Sequence, residues 1–307
     1  MGCSQSILEN VGLASKEPWK NFRKHPVHQK YRVGAKLGQG AFSQVHTGTN
    51  HTTGEVVALK VVFKERPGLK PSNIQVLRNE VAVLRALNHK NIIALKGVIE
   101  DDHQIVIILE KVNGPEMHEH LKKVGFYSES RAAHMFYQCV AAVNHMHEEG
   151  YLHRDLKTEN VLIVEDPGKT KDDKLHIKVI DMGMALKISK DHIYKGVMGT
   201  PGYMAPECRG MMPHRPAMDV WSLGMILFEM LRGKLPYTKT QISKYLYTSI
   251  NIAETDAFKS RTDDQAPFSP ELEDLLMKML KLDPDERITC SEILDHPWLR
   301  NKVPNAG

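Results

Sequence analysis

The hydrophobic period of the chain changes near Gly114, and that change constrains the fold more than any other feature. Upstream, apolar residues alternate or run together over strand lengths; downstream, they recur at helical spacing. Tyr31 to Leu37 reads as a strand and is followed by the glycine-bearing turn Gly38-Gln39-Gly40. Gly54 then opens Glu55–Phe63, a β-branched, apolar run. Its alternation places Val57, Leu59, Val61 and Phe63 on one face and Val56, Ala58, Lys60 and Val62 on the other. Pro71-Ser72 predicts a helix start with Ser72 as N-cap, and Ile74, Leu77, Val81 and Leu84 follow at helical spacing. Glu80 lies beside that stripe and so faces inward or nearly so. Ile105 to Leu109 predicts another buried strand. Beyond Gly114, Ala132, Phe136, Cys139, Val143 and Met146 make one helix face, and residues 219–231 make a strongly apolar helix. A polar loop spans 153–160. Short strands lie around Val161–Ile163 and His176–Ile180, with the charged stretch Asp166–Lys174 between them as an exposed hairpin tip. Strands with one helix, then mostly helices, imply an α+β fold in two parts joined near Glu110–Gly114.

At 307 residues the chain has room for one bilobal domain or two small ones. The net charge of +4 is too small to suggest a nucleic-acid partner. Cys3, Cys139, Cys208 and Cys290 fit neither a zinc site nor a disulfide framework, which points to a reducing compartment. Cys139 and Cys290 lie among apolar neighbours and read as small buried hydrophobes. No stretch has the length of an apolar membrane span. Residues 1–30 show no periodicity, contain Pro18 and Pro26, and read as an arm. The arm begins Met1-Gly2-Cys3-Ser4-Gln5-Ser6, the pattern for myristoylation of Gly2, with Cys3 a palmitoylation candidate. One acyl chain holds a protein only marginally, so a second signal matters. Cys3 is one; the basic run Lys16, Lys20, Arg23, Lys24, Lys30 and Arg32 is another, each residue adding about 1 kcal/mol near an anionic leaflet. The expected location is the cytoplasmic face of a membrane, foremost the plasma membrane. A chance Met-Gly start ahead of a solvated arm is the competing reading.

The chemistry gathers in a few short segments. Leu37-Gly38-Gln39-Gly40-Ala41-Phe42-Ser43-Gln44-Val45 is a glycine-rich turn between two strands. Glycine lets backbone N–H groups close on phosphate oxygens, although such a turn alone is most often just a turn. A dinucleotide-binding fold fits worse, because a strand follows and not a helix. Lys60 on a strand face needs an anion, and ligand phosphate or Glu80 could supply it; the alternative is a solvated strand edge. His153-Arg154-Asp155-Leu156-Lys157-Thr158-Glu159-Asn160 puts a carboxylate, an ammonium and an amide in one short loop. Asp155 can orient and deprotonate a hydroxyl, Lys157 can neutralise a transferring phosphoryl group, and Asn160 can hold a metal. Asp181-Met182-Gly183 follows an apolar strand, with Asp181 a natural Mg²⁺ ligand. Downstream come Gly199-Thr200-Pro201-Gly202-Tyr203-Met204-Ala205-Pro206-Glu207 and Asp219-Val220-Trp221-Ser222-Leu223-Gly224.

In this order the segments resemble the eukaryotic protein kinase family, over Tyr31 to about Leu299. The resemblance implies a bilobal fold, with a small β-rich N-lobe (31–110) and a larger helical C-lobe (114–299). An arm (1–30) precedes them and a short tail (300–307) follows. It further implies ATP and Mg²⁺ as cofactors. Residues 37–45 would cover ATP, and Lys60 would contact its phosphates and pair with Glu80. Leu109 would take the gatekeeper place, the Glu110–Val112 backbone would bind adenine, and Val45, Ala58 and Leu162 would sandwich it. Asp155 would be the catalytic base; Asn160 and Asp181 would hold Mg²⁺. Glu207 should pair with Arg287, and Asp219 should brace the catalytic loop. Two positions depart from the pattern: Ser43 takes the place of the third glycine and Met182 that of the usual phenylalanine, and neither removes a charged group.

Lys157 and the Thr200 loop resemble serine/threonine kinases, and Ala41-Phe42-Ser43, Arg287-Ile288-Thr289 and His296-Pro297-Trp298 resemble the calcium/calmodulin-dependent group. Glu116, Glu159 and Glu229 match positions that contact upstream arginines of substrates in kinases favouring basic sites; otherwise they are merely solubilising acids. Thr200 is expected to contact Asp155 and Lys157. No calmodulin-binding helix or EF-hand loop is evident, so calcium control within these residues is not expected. Asp191 to Met198 contains no serine or threonine, which predicts basal activity without an activating phosphothreonine. The implied partners are protein substrates and a membrane surface, with the chain monomeric. The rivals are a catalytically inactive, membrane-tethered pseudokinase scaffold and a kinase acting on small molecules. The first would lack one of Lys60, Asp155, Asn160 and Asp181; the second would lack Ala205-Pro206-Glu207.

Overall fold

A computed structural model describes residues 22–40, 43–65, 68–165, 175–189, 193–209, 212–237 and 267–303. Gly2, Cys3, Ala41, Phe42 and the charged insert 166–174 lie outside the described residues. The chain divides into two compact units. One contains the described residues up to Gln75 and then Leu95–Lys111; the other contains Val76–Ala94 and everything from Val112 on.

The first unit is a five-stranded antiparallel sheet. After a short helix α1 (Val27–Lys30) come β1 (Tyr31–Gln39), β2 (Ser43–Asn50), β3 (Val56–Phe63), helix α2 (Pro71–Ala86), β4 (Leu95–Glu100) and β5 (Gln104–Glu110). The strand order is β1-β2-β3-β5-β4, so the β-branched run of β3 lies at the centre. Val57, Leu59, Val61 and Phe63 are buried on one face, as their alternation requires. The segment ahead of Tyr31, expected to be an arm, covers this face from Phe22 onward. Phe22, Val27 and Tyr31 join Val57, Leu59, Val61, Phe63, Val106 and Ile108 in one apolar cluster. Phe22 meets the Phe63 ring edge-on, and the Val27 N–H donates to Nδ1 of buried His25 at 3.1 Å. Three apolar residues without a repeat are too few for a periodicity signal, which is why the sequence hides this packing.

Helix α2 starts at Pro71, so Ser72 lies inside the first turn and is not the N-cap. Pro71 is preorganised for the first helical position, and the Asn73 side chain accepts from the Lys70 N–H at 2.8 Å. From Val76 onward this helix belongs to the second unit, where the Asn79 amide donates to the Ala185 carbonyl at 2.7 Å.

The second unit is mostly helical. It contains α3 (Met117–Val124), α4 (Glu129–Glu148), β6 (Tyr151–Leu152), β7 (Val161–Val164), β8 (His176–Val179), β9 (Leu186–Lys187), α5 (Pro216–Arg232), α6 (Pro270–Met279), α7 (Cys290–Leu294) and α8 (Pro297–Lys302). The apolar run predicted at 219–231 is α5, buried from Met218 to Arg232. A helix apolar all round needs partners on every side, and α4 and α6 supply two of them. The predicted face of α4 (Ala132, Phe136, Cys139, Val143, Met146) is buried, with Phe136 edge-on to Trp298 of α8. The Trp298 indole N–H donates to Glu129 Oε2 at 3.0 Å, closing the C-terminal end onto the start of α4. Strands β7 and β8 pair antiparallel, and β6 pairs with β9, so the polar loop at 153–160 and the segment around Asp181 are held by short ladders on either side. Gly114 has φ +139°, and a Cβ there would run into the Ile163 carbonyl; only glycine fits at the mouth of β7.

Candidate active site

In the first unit the glycines Gly38 and Gly40 lie at the end of the ladder between β1 and β2. Gly38 pairs with Val45 and Gln39 with Gln44, and the Gly40 N–H closes onto the Ser43 carbonyl at 2.9 Å. The space a Cβ would fill at Gly38 is empty, so its backbone is open to approach. Lys60 sits opposite Val45 on one side and Ile107 on the other, and Ala58 sits opposite Leu109. All four of Val45, Ala58, Lys60 and Leu109 are half-buried. A solvated strand edge is excluded for Lys60, because β3 has neighbours on both sides.

In the second unit Glu80 is buried, 2 % exposed. The loop 153–160 is built around Asp155. The Thr200 hydroxyl donates to Asp155 Oδ1 at 2.6 Å, and Lys157 Nζ lies 3.0 Å from Asp155 Oδ2. Lys157 also donates to Thr200 Oγ1 at 2.9 Å, which closes a triangle of acid, ammonium and hydroxyl. The expected contact of Thr200 with both residues is therefore present. Asn160 turns its amide nitrogen to the Asp155 carbonyl at 2.8 Å and to Oδ2 at 3.3 Å. The Ile180 N–H donates to the Asn160 carbonyl at 2.9 Å, placing Asp181 one residue from that contact. Arg154 and Asp181 have φ of +66° and +64°, and they are the non-glycine residues with positive φ among those described. Such backbone is costly and persists where the surroundings fix it.

Those surroundings centre on Asp219. Its Oδ1 accepts from the Arg154 N–H at 2.8 Å and its Oδ2 from the His153 N–H at 2.9 Å. Its side-chain partner, His147 Nε2 at 2.9 Å, was missed in the sequence. Yet His147 follows Val143 by one helical turn, so the face that named Val143 and Met146 also contains it. Burial opposes charge on both groups. Hydrogen bonds with Asp219 and Cys290 overcome it for His147 and push its pKa up to about 10. Burial likewise acts to raise the Asp219 pKa, but His147, His153 and the His153 N–H more than offset it, so the carboxyl is held below its usual range. A histidine pKa raised on folding stabilises fully below the unfolded value near 6.5 and ceases to do so as pH rises through about 10. We therefore expect His147→Gln to be destabilised most at pH 6, with the gap to the parent closing toward pH 10. Urea midpoints measured across that range check this; a gap independent of pH would contradict it.

The acids Glu116, Glu159 and Glu229 do not share one environment. Glu116 is exposed ahead of α3, while Glu229 on α5 is 5 % exposed. Glu229 Oε2 accepts from the Thr158 hydroxyl at 3.0 Å and from the Tyr203 hydroxyl, and His118 lies 3.5 Å from Oε1. Burial raises the pKa of both Glu229 and Glu116, with Glu159 adding to each. Glu229 thus ties the 153–160 loop to the Tyr203 turn, and it is not an exposed surface acid. Arg287 donates to Glu207 Oε1 at 2.6 Å and Oε2 at 3.1 Å in a buried, two-pronged pair.

A sequence profile of the family described as "Protein kinase domain" matches residues 31–299. The chain belongs to the protein kinase family. Among its curated relatives, the kinase is 33 % identical over 270 residues to "Calcium/calmodulin-dependent protein kinase type II alpha chain" of Drosophila melanogaster, covering 88 % of this chain and 49 % of the relative. It is 34 % identical over 290 residues to "CBL-interacting serine/threonine-protein kinase 16" of Arabidopsis thaliana, covering 91 % and 58 %. It is 32 % identical over 282 residues to "Calcium-dependent protein kinase 14" of the same plant, covering 90 % and 50 %. These similarities support the serine/threonine, calcium/calmodulin-dependent group expected from the motifs. The kinase spans about half the length of these relatives. No helix among the described residues is long and apolar enough to cross a membrane.

The family implies ATP and a divalent metal, and the donor set fits one. Asn160 and Asp181 bring an amide oxygen and a carboxylate to backbone positions linked by the Ile180 N–H to Asn160 carbonyl contact, and oxygen donors suit Mg²⁺. Among the described residues no group of three or more His, Cys, Asp or Glu could hold a metal alone. Mg²⁺ does not need such a cage, because it is commonly held by one or two carboxylates together with substrate phosphates.

Proposed function

We propose that this kinase transfers the γ-phosphoryl group of ATP to serine or threonine hydroxyls of protein substrates. The observation that carries the reading is the triangle of Asp155, Lys157 and Thr200, in which a threonine hydroxyl already donates to the carboxylate at 2.6 Å. An acceptor hydroxyl presented to the same pair would give its proton to Asp155 as its oxygen bonds to phosphorus and the bond to the departing ADP oxygen breaks. Lys157 offsets negative charge on the moving group. Asn160 and Asp181 would hold Mg²⁺, which screens the phosphate charge when bound. Lys60 would grip the phosphates and pair with Glu80. The glycine turn would lie over the nucleotide, and Val45, Ala58, Leu162, Leu109 and the Glu110–Val112 backbone would receive adenine. Lys60, Asp155, Asn160 and Asp181 are all present, which disfavours the pseudokinase. Phosphate transfer from labelled ATP to a generic basic protein tests the activity; no transfer would return the pseudokinase to first place.

Preferred substrates have arginine upstream of the acceptor. Glu116, exposed, and half-buried Glu159 supply the carboxylates; burial and the Glu159 carboxylate both raise the cost of charging Glu116 and Glu229, a strain that a guanidinium would relieve. Profiling on a degenerate peptide library should show enrichment of arginine upstream of the acceptor; a flat profile there would remove this assignment. Gly2 and Cys3 are sites of acylation that, with the basic residues after them, hold the kinase at the cytoplasmic face of a membrane. Gly2→Ala should move the protein from the membrane pellet to the soluble fraction, and retention in the pellet would count against the anchor.

A further inference from the structure

Arg154 precedes the catalytic base, and its side chain reaches into the segment that follows Asp181. Its Nε donates to the Met184 carbonyl at 2.7 Å, and its NH1 lies 3.3 Å from His214 Nδ1. On its other edge, His214 Nε2 lies 2.9 Å from the Gly196 carbonyl. The His214 N–H donates to the Tyr194 carbonyl at 2.9 Å, and Lys195 forms a β-bridge with Pro213. A carbonyl can only accept, so Nε2 carries the proton and Nδ1 presents its lone pair to the guanidinium. The imidazole is therefore a strut between the catalytic loop and the Tyr194–Gly196 backbone.

Two features make the strut consequential. Ile193 and Val197 are 70 % and 65 % exposed, so apolar burial does not hold the segment in place. His214 itself lies just ahead of Pro216, the first residue of the buried helix α5, so it is a fixed post. Gly199, with φ +108°, passes so close to the Arg154 carbonyl that a Cβ would come within 2.9 Å, and the next residue is Thr200, which reaches Asp155. Kinase segments of this kind are commonly ordered by a phosphate that pairs with arginine. Asp191 to Met198 has no serine or threonine to carry one; the nearby hydroxyls are those of Ser189, Tyr194 and Thr200, and Thr200 is taken up by Asp155 and Lys157.

We propose that His214 is a positioning residue for phosphoryl transfer: it bridges Arg154 to the Gly196 backbone and holds the Thr200 segment in its working shape without a phosphate. This rests on the kinase reading above. The test is steady-state kinetics of the full chain with ATP and a basic peptide. His214→Asn keeps an acceptor oxygen near the place of Nδ1 but gives up the Gly196 contact, and should lower kcat by about threefold, whereas His214→Ala gives up both and should lose about tenfold. His214→Lys sets an ammonium against the guanidinium and should lower kcat by about ten- to a hundredfold, with KM for ATP nearly unchanged. In an Arg154→Gln background the same lysine should cost little beyond the loss already caused by Arg154→Gln. The proposal is overturned if asparagine is no better than alanine, or if lysine costs as much with Arg154 absent as with it present. Should the lysine variant not fold, the asparagine–alanine comparison decides. A parent chain without any turnover would instead refute the kinase reading itself.

Discussion

Asp155→Asn should lower turnover by about a hundred- to ten-thousandfold, the range for removing a general base, while melting close to the parent temperature. The two side chains have the same shape. An asparagine can still accept from the Thr200 hydroxyl and stay beside Lys157, so the local packing survives. What it cannot do is take up the proton that a hydroxyl must lose as its oxygen bonds to phosphorus. Nothing in the loop replaces it: Lys157 offers only donors, and Asn160 uses its amide nitrogen to brace the Asp155 carbonyl. Labelled-ATP transfer and thermal melting on the same samples separate chemistry from folding. Near-normal turnover by a folded variant would disprove the assignment of the base.

The largest effect on stability is expected at Arg287. Its side chain is 0 % exposed and that of Glu207 5 %, and the guanidinium also donates to the carbonyls of Ala217, at 2.7 Å, and Lys281, at 2.8 Å. It lies over the Trp221 ring, 5.2 Å from its centroid. Arg287→Ala would leave the Glu207 carboxylate and both carbonyls buried without this partner, at a cost of about 3–5 kcal/mol. Breaking a buried pair costs more than removing it whole, so Arg287→Met with Glu207→Gln should be milder than Arg287→Ala alone. Chemical denaturation of the three proteins measures this. A loss below about 1 kcal/mol for Arg287→Ala would mean the pair contributes no more than a surface one.

Much of this was legible in the residues, for a physical reason. The loop 153–160 carries its carboxylate, ammonium and amide within one turn of chain, so their meeting needs no long-range fold. The alternation of Val57, Leu59 and Val61 and the all-round apolarity of α5 likewise report local geometry. What stayed hidden depends on distant partners. Glu229 looks like a surface acid until Tyr203 and Thr158 close over it. His147 and His214 are ordinary polar residues until Asp219 and Arg154 arrive from elsewhere in the chain. Ser72 offered a cap by residue type, but proline and the Asn73 side chain fixed the helix start two positions earlier than that cap implies.

The cover that Phe22 and Val27 lay over the sheet has a practical bearing on where this enzyme can be cut. The family match begins at Tyr31, and a protein trimmed to that point would expose the wall of Val57, Leu59, Val61 and Val106 to water. An open β-surface of that kind invites self-association. The shortest well-behaved form of the catalytic domain should therefore start ahead of Phe22, nine residues before homology alone would place it.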